Sequence, residues 1–355
     1  MLTANLFPMP PHPDKIRDAV KKGTLPELVK RVNTMRTRGM NSGKRSFPST
    51  GTNRILILLV DFSDVRVDPV ISTPTFYDHL FEDSGSTTLT WRKYYQDMSG
   101  GELTLTFDVH KCSVPASNIL GYYGANTGPN DWDVFPATLV GEAIDIAEID
   151  GIDFSLYDND GDLVCDAVLI IHAGQGEEYT DAPVEAIWSH RWNLDSAREY
   201  YGDGTGSRLY DGVTINDYTI QPEYSAIPGD STIGVFVHEF GHILGLADLY
   251  DVNYNTDGAG TWSLMSFGCW NGPSSRGSVP APLLAWEKDL LDWVSIDEDL
   301  QISMTTTAPV DNTTFIIFSV MVLGSCCTAF IFQKKNNFHG LMIVLVTVLV
   351  LPGFL

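Results

Sequence analysis

The chain has 355 residues, with 22 Lys and Arg against 45 Asp and Glu, for a net charge of -23. That balance excludes nucleic acid and an anionic membrane surface as main partners, because both need a cationic face. Hydrophobic residues make up 44% and aromatics 11%, enough to bury a sizeable core, so global disorder is excluded as well.

Residues 1–50 read as a basic, proline-containing N-terminal arm that holds 10 of the 22 basic residues. Pro8, Pro10, Pro11 and Pro13 open it as extended chain. Ile16 and Val20, then Leu28, Val32 and Met35, predict two short amphipathic helices separated by Gly23 and Pro26. No apolar run of signal-peptide length follows Met1.

A single mixed domain is expected over 51–311. Ile55 to Val60 is a continuous apolar run, as in a buried strand. "TWRKYYQDMSGGELTLTFDVH" reads as a helix, a Gly100-Gly101 break and a strand with Leu103, Leu105, Phe107 and Val109 on one face. "FPATLVGEAIDIAEI" has helical spacing, "DAVLIIHAG" reads as another buried strand, and "VTINDYTIQPE" reads as an edge strand. A largely buried helix follows Pro228-Gly229, capped by Asp230 or Ser231 and stopped by Gly245. A glycine-rich stretch covers Trp262 to Gly277, and a last helix lies near Pro282 to Trp293. Strands and helices alternate within one unit, which gives an α/β (α+β) class.

The tail differs. Residues 315–332 carry no charge and are long enough for a transmembrane helix, with 338–355 as a second hydrophobic segment. Lys334 and Lys335 would mark the cytoplasmic side, leaving the globular part outside the cytosol, anchored or secreted. The Asn312-Thr313-Thr314 sequon fits that side. A tail anchor without a start signal would instead leave the domain in the cytosol, so the two ends conflict.

"HEFGHILGLADLYD" holds the chemistry. His238 and His242 are four apart on one helical face and can share one metal ion, with Glu239 beside them to take a proton from water. A core helix with two satisfied histidines would show the same spacing. Gly245 lets the backbone reverse, so Asp248 is preferred as third ligand. Asp251 is the next choice, and Glu287 in "AWEKDLL" is a rival from a later helix. Three protein ligands would leave zinc an open position, as in a catalytic site. No CxxC occurs, which excludes cysteine-ligated zinc.

Between Lys111 and Arg191 there are 15 acidic residues and no Lys or Arg. Within that stretch "DNDGDLVCD" sets Asp158, Asp160, Asp162 and Asp166 at oxygen-ligand offsets of a calcium loop. Leu163 and Leu169 replace the glycine and glutamate of an EF-hand, so the choice is an irregular calcium site or an Asp-rich turn. His172 reads as structural, Cys112 as an ordinary buried cysteine rather than one that blocks a metal, and His190 as a structural hydrogen-bonding residue with a cleft role second.

"HEFGHILGLADLYD" followed by "GTWSLMSFGCWNG" resembles the metzincin zinc peptidases, and specifically the immune inhibitor A-like metallopeptidases. "LLVDFSD", "KYYQDMSGGELTL", "LGYYGANTG", "LYDNDGDLVCDAVLIIHAGQGEE", "IWSHRW" and "APLLAWEKDLLDW" extend the likeness over roughly residues 55–293. The resemblance implies zinc on His238, His242 and Asp248, Glu239 as catalytic base, and Met265 in a turn beneath the metal. It also implies a twisted mixed sheet with the active-site helix above an irregular lower subdomain, and protein or peptide substrates. Ala247 departs from the family's usual proline. The rival function is an inactive binding or adhesion module on the same scaffold.

Overall fold

In the computed structural model the described residues are 7–29, 46–82, 89–126, 133–251, 255–273 and 276–295, together with three strands near the C-terminus. The chain divides into two compact units, Met1–Ser295 and Ile296–Leu355.

The first unit is built on a six-stranded twisted sheet in the order β1-β6-β9-β5-β2-β3. β2 (Gly51–Val60) lies at its heart, parallel to β3 (Leu103–Lys111) on one side and to β5 (Val168–Gln175) on the other. Ile55 to Val60 are all 1% exposed or less, so both faces of the strand are covered. β9 (Asp217–Tyr224) runs parallel to β5, and β6 (His190–Asn193) pairs antiparallel to β9. β1 (Phe7–Pro8), from the N-terminal arm, adds antiparallel to β6. A second small sheet joins β4 (Val164–Cys165), β8 (Val213–Ile215) and β7 (Arg208–Tyr210).

The segment "VTINDYTIQPE" is therefore not one edge strand. It splits into β8 and β9, and β9 is interior, with six consecutive buried residues from Tyr218 to Glu223. Its polar residues disguised it: Thr219, Gln221 and Glu223 are buried, so burial does not follow polarity here. The sheet tolerates Pro222 because the β5–β9 register shifts between His172 and Gln175, next to the proline's partner.

Among the helices, α1 (Pro13–Lys22) belongs to the arm, while α2 (Pro74–Phe81), α3 (Trp91–Met98) and α4 (Leu120–Gly124) precede the long α5 (Pro136–Ile149). α6 (Leu194–Tyr201), α7 (Ile233–Ile243) and α8 (Ala285–Leu290) follow. α3 starts where Thr90 Oγ1 accepts the Lys93 amide at 3.3 Å. It ends before Gly100 and Gly101, at φ 66° and 91°. Its aromatic residues hold α7: Trp91 stacks on Phe236, and Tyr95 lies edge-on to Phe240 at 5.2 Å. The Tyr95 hydroxyl donates to the Val237 carbonyl at 2.6 Å, and the neighbouring Tyr94 hydroxyl donates to Ala281 at 2.6 Å. One helix thus pins both the active-site helix and the later irregular segment.

The second predicted arm helix is helical over residues 25–29, and Val32 and Met35 lie outside the described residues. The predicted tail helix over 315–332 is not what the structure shows. The chain forms antiparallel strands β10 (Thr313–Val320), β11 (Cys327–Lys335) and β12 (Met342–Val348), and the sequon's Asn312 is outside the described residues. Among the described residues no helix is long and apolar enough to cross a membrane, so anchoring by such a helix is withdrawn. The misreading has a physical source. An apolar run has no helical face, and this one is rich in Phe, Ile, Thr and Val, which favour strands.

Candidate metal centre and peptide cleft

α7 is buried along its whole length, all eleven residues. Its N-cap is Thr232, not Asp230 or Ser231. Asp230 instead closes its own turn, accepting the amides of Ser225 at 2.8 Å and Ala226 at 3.0 Å, and Ser231 donates to the Glu223 carbonyl. At the other end the Leu246 amide reaches back to the Gly241 carbonyl at 2.9 Å and Gly245 takes φ 92°. This is a left-handed glycine stop, and it reverses the chain within three residues of Asp248.

The reversal brings His238, His242 and Asp248 together, with ligating atoms within 4.8 Å of one another. Both imidazoles are held from behind. His238 Nδ1 bonds the Leu264 carbonyl at 2.9 Å and His242 Nδ1 bonds the Leu246 carbonyl at 2.8 Å. A carbonyl only accepts, so both Nδ1 atoms carry the proton and a neutral ring presents its Nε2 lone pair. Each Nε2 stands 3.4 Å from Asp248 Oδ1. Three electron-rich atoms converging in a buried site fit a divalent cation. Nitrogen and carboxylate donors suit zinc.

The electrostatics agree. Burial pushes the Asp248 carboxyl up, but His242 and His238 outweigh it and hold the group well below the usual carboxylate range. Burial drives His242 down, towards the neutral ring a metal needs. Glu239, 0% exposed, is raised well above its ordinary value by burial, then by the charges of Asp248 and Glu178. The alternatives to Asp248 are engaged elsewhere. Asp251 caps the turn at Asn255 and Thr256, at 3.1 and 3.0 Å.

Glu287, the rival ligand from the later helix, is engaged elsewhere as well. It is fully buried and accepts the Ser263 hydroxyl at 3.1 Å and the Leu284 amide at 2.6 Å, while burial lifts it to about 7. Ser263 Oγ in turn accepts the Met265 amide at 3.0 Å. Glu287 thus braces the turn that supplies the Leu264 carbonyl to His238. Met265 lies against α7: a Cβ on Gly241 would stand 2.5 Å from its sulfur. The glycine inside the motif is the gap into which that methionine fits.

Residues 44–294 match the family model described as "Immune inhibitor A peptidase M6, catalytic domain". The chain belongs to the immune inhibitor A peptidase family. It is 31% identical over 297 residues to "Immune inhibitor A" of Bacillus thuringiensis subsp. alesti, covering 69% of this chain and 41% of that protein. It is 34% identical over 281 residues to "Pre-pro-metalloprotease PrtV" of Vibrio cholerae serotype O1 (strain M66-2), covering 68% of this chain and 30% of that protein. The chain therefore spans less than half the length of these relatives.

Two further features of this family member bear on its chemistry. Asp158, Asp160 and Asp166 gather within 4.8 Å, but Asp162 does not join them. Asp162 Oδ1 accepts the Val164 amide at 2.9 Å, which turns it to the loop's own backbone. Asp158 accepts the Gly161 and Leu163 amides at 2.9 and 3.0 Å. Burial lifts Asp166 to about 7, against the pull of hydrogen bonds from Asn159. Cys112, Cys165 and Cys269 are free and buried. His190 bonds Trp188 O at 2.8 Å and Tyr218 Oη at 3.2 Å and is driven by burial to about 4, a structural role.

The second feature is the arm. β1 lies where an extended peptide would add to the sheet, on β6. The Met9 amide donates to Ser189 O and the His12 amide to Glu178 O, each at 2.9 Å. Met9 is 0% exposed and the Lys15 ammonium lies over the Trp188 ring while donating to Glu177 O.

Proposed function

We propose that this chain is a zinc endopeptidase that hydrolyses peptide bonds of protein substrates, with Glu239 as general base. The observation that carries this reading is the convergence of two Nε2 lone pairs and the Asp248 carboxylate beside a buried Glu239. His238, His242 and Asp248 would hold the zinc, which would supply Lewis acidity to the scissile carbonyl and the attacking water. The chain's own residues do the rest. Glu239 accepts the proton of the attacking water and hands it to the departing amine. The Leu264 and Leu246 carbonyls hold the imidazoles in the required tautomer. β6 pairs with β1 of the arm on its outer side, and a substrate main chain would align there in the arm's place. The reading includes a location outside the cytosol, which the Asn312-Thr313-Thr314 sequon fits.

A calcium ion on Asp158, Asp160 and Asp166 is a separable, secondary part of the reading, supported by their convergence and by the raised Asp166.

The test is zinc stoichiometry by mass spectrometry together with digestion of casein, on the full chain and on Glu239→Gln. One tightly held zinc in both proteins and cleavage only by the wild type is the expected result. Cleavage by Glu239→Gln, or zinc that survives His238→Ala unchanged, overturns the assignment.

A further inference from the structure

Residues 9–12 of the arm are held through their main chain by groups that a peptide of another sequence would satisfy equally. Besides the Met9 and His12 amides, two carbonyls are read. Trp188 Nε1 donates to Met9 O at 2.8 Å, and Trp270 Nε1 donates to Pro10 O at 3.1 Å. Both indoles are buried, at 0% and 1% exposure, so each N–H needs an acceptor. Trp188 lies two residues before β6, while Trp270 closes the 3-10 turn Phe267–Trp270 just after Met265. The two donors thus come from opposite parts of the fold, the sheet edge and the irregular segment under the metal ligands. The track borders the helix that carries Glu239: the Cys269 carbonyl, next to Trp270, packs so closely on Gly234 of α7 that a Cβ there would stand 2.2 Å from it, and β6 packs against the same helix.

The pattern of contacts also selects a main chain. Pro8, Pro10 and Pro11 have no N–H. The Met9 amide faces β6, so strand alternation turns the nitrogen of Pro8 away from the ladder, where a missing donor costs nothing. Between Met9 and His12 the track takes no N–H and offers donors to carbonyls instead. A proline-bearing extended segment satisfies every contact, and its restricted backbone loses little entropy on binding. The fully buried Met9 side chain shows an apolar socket just before the prolines.

We propose that Trp188 and Trp270 are substrate-binding residues, the carbonyl-reading donors of the cleft, and that the cleft takes extended peptides in which an apolar residue is followed by proline. The proposal rests on the peptidase reading above. Phenylalanine at either position keeps an aromatic ring but loses the five-membered ring and its N–H. In the full chain, Trp188→Phe and Trp270→Phe each speed hydrogen exchange of the Met9 and His12 amides about tenfold, with β2 and β5 protection unchanged as the control for folding. With zinc loaded, each raises KM about tenfold with kcat within about twofold, the mark of a binding contact rather than a catalytic one. A quenched peptide carrying Met-Pro-Pro is cleaved at least as well as its Met-Ala-Ala counterpart.

Unchanged KM in both variants overturns the proposal even if arm exchange rises, since the indoles would then serve the arm alone. A tenfold loss for the proline peptide overturns the selectivity. If the zinc-loaded wild type cleaves neither peptide, the peptidase reading falls. Fluorescence anisotropy of labelled Met-Pro-Pro peptide on wild type and the two variants then decides the binding claim: tenfold weaker binding in the variants supports it, and equal binding overturns it.

Discussion

The chain gathers acidic and metal-binding side chains in two places, and the two are built differently. At α7 the backbone takes the outer nitrogen of each histidine, through Leu264 and Leu246, and leaves the inner lone pairs facing Asp248. In the Asp158 loop the backbone takes the carboxylates themselves, through the amides of Gly161, Asp162 and Leu163. The first centre is fully buried, and the loop is partly exposed. Ligand spacing brings residues together in both. What the main chain does with their lone pairs decides how strongly a cation is demanded.

The largest test of that contrast is Glu239→Gln, which is expected to lower peptide hydrolysis by about a thousandfold, within the range of a lost general base, while zinc content stays the same. Next comes a matched pair. Asp248→Ala weakens zinc binding more than about 100-fold by chelator competition, whereas Asp158→Ala leaves zinc affinity within about twofold. Equal effects would erase the distinction between the sites. Gly241→Ala places a Cβ 2.5 Å from the Met265 sulfur and is expected to cost about 1–3 kcal/mol in thermal unfolding.

The smallest effect concerns Asp166, whose carboxyl is lifted from 3.8 to about 7. The folded state holds this proton more tightly than the unfolded chain does. Its contribution to stability is therefore full below about pH 4 and is lost as pH rises towards 7. Asp166→Asn flattens that part of the pH–stability curve. Millimolar calcium raises the wild-type melting temperature by a few degrees at pH 7.5 and leaves Asp166→Asn unmoved. A calcium response in the variant would move the ion away from Asp166.

The motif residues were legible because their spacing is local. His238, His242, the Gly245 stop and Asp248 all lie within eleven residues, and helix and turn geometry place them without tertiary information. β2, α3, β3 and α5 were legible by periodicity. Residues joined only by the fold were not. Glu287 looked like a rival ligand because a carboxylate near a zinc motif carries no sign of its distance, and only packing shows it spent on Ser263. β9 was misjudged because Thr219, Gln221 and Glu223 are polar yet buried. The tail was misjudged because eighteen uncharged residues suit a strand pair as well as a helix. The pairing of Phe7 and Pro8 with β6 had no signal beyond the arm's prolines.

That contact has a consequence for solubility. Without Phe7 and Pro8, β6 would be the outermost strand of the sheet, a row of unpaired amides and carbonyls beside buried aromatic rings. Such an edge templates pairing with another copy of the same chain. The arm blunts it with a partner rich in proline, which cannot offer a complete second edge of its own. Release of Phe7 and Pro8 would bare that edge, so the docking of the N-terminal segment and the solubility of the chain are one and the same property.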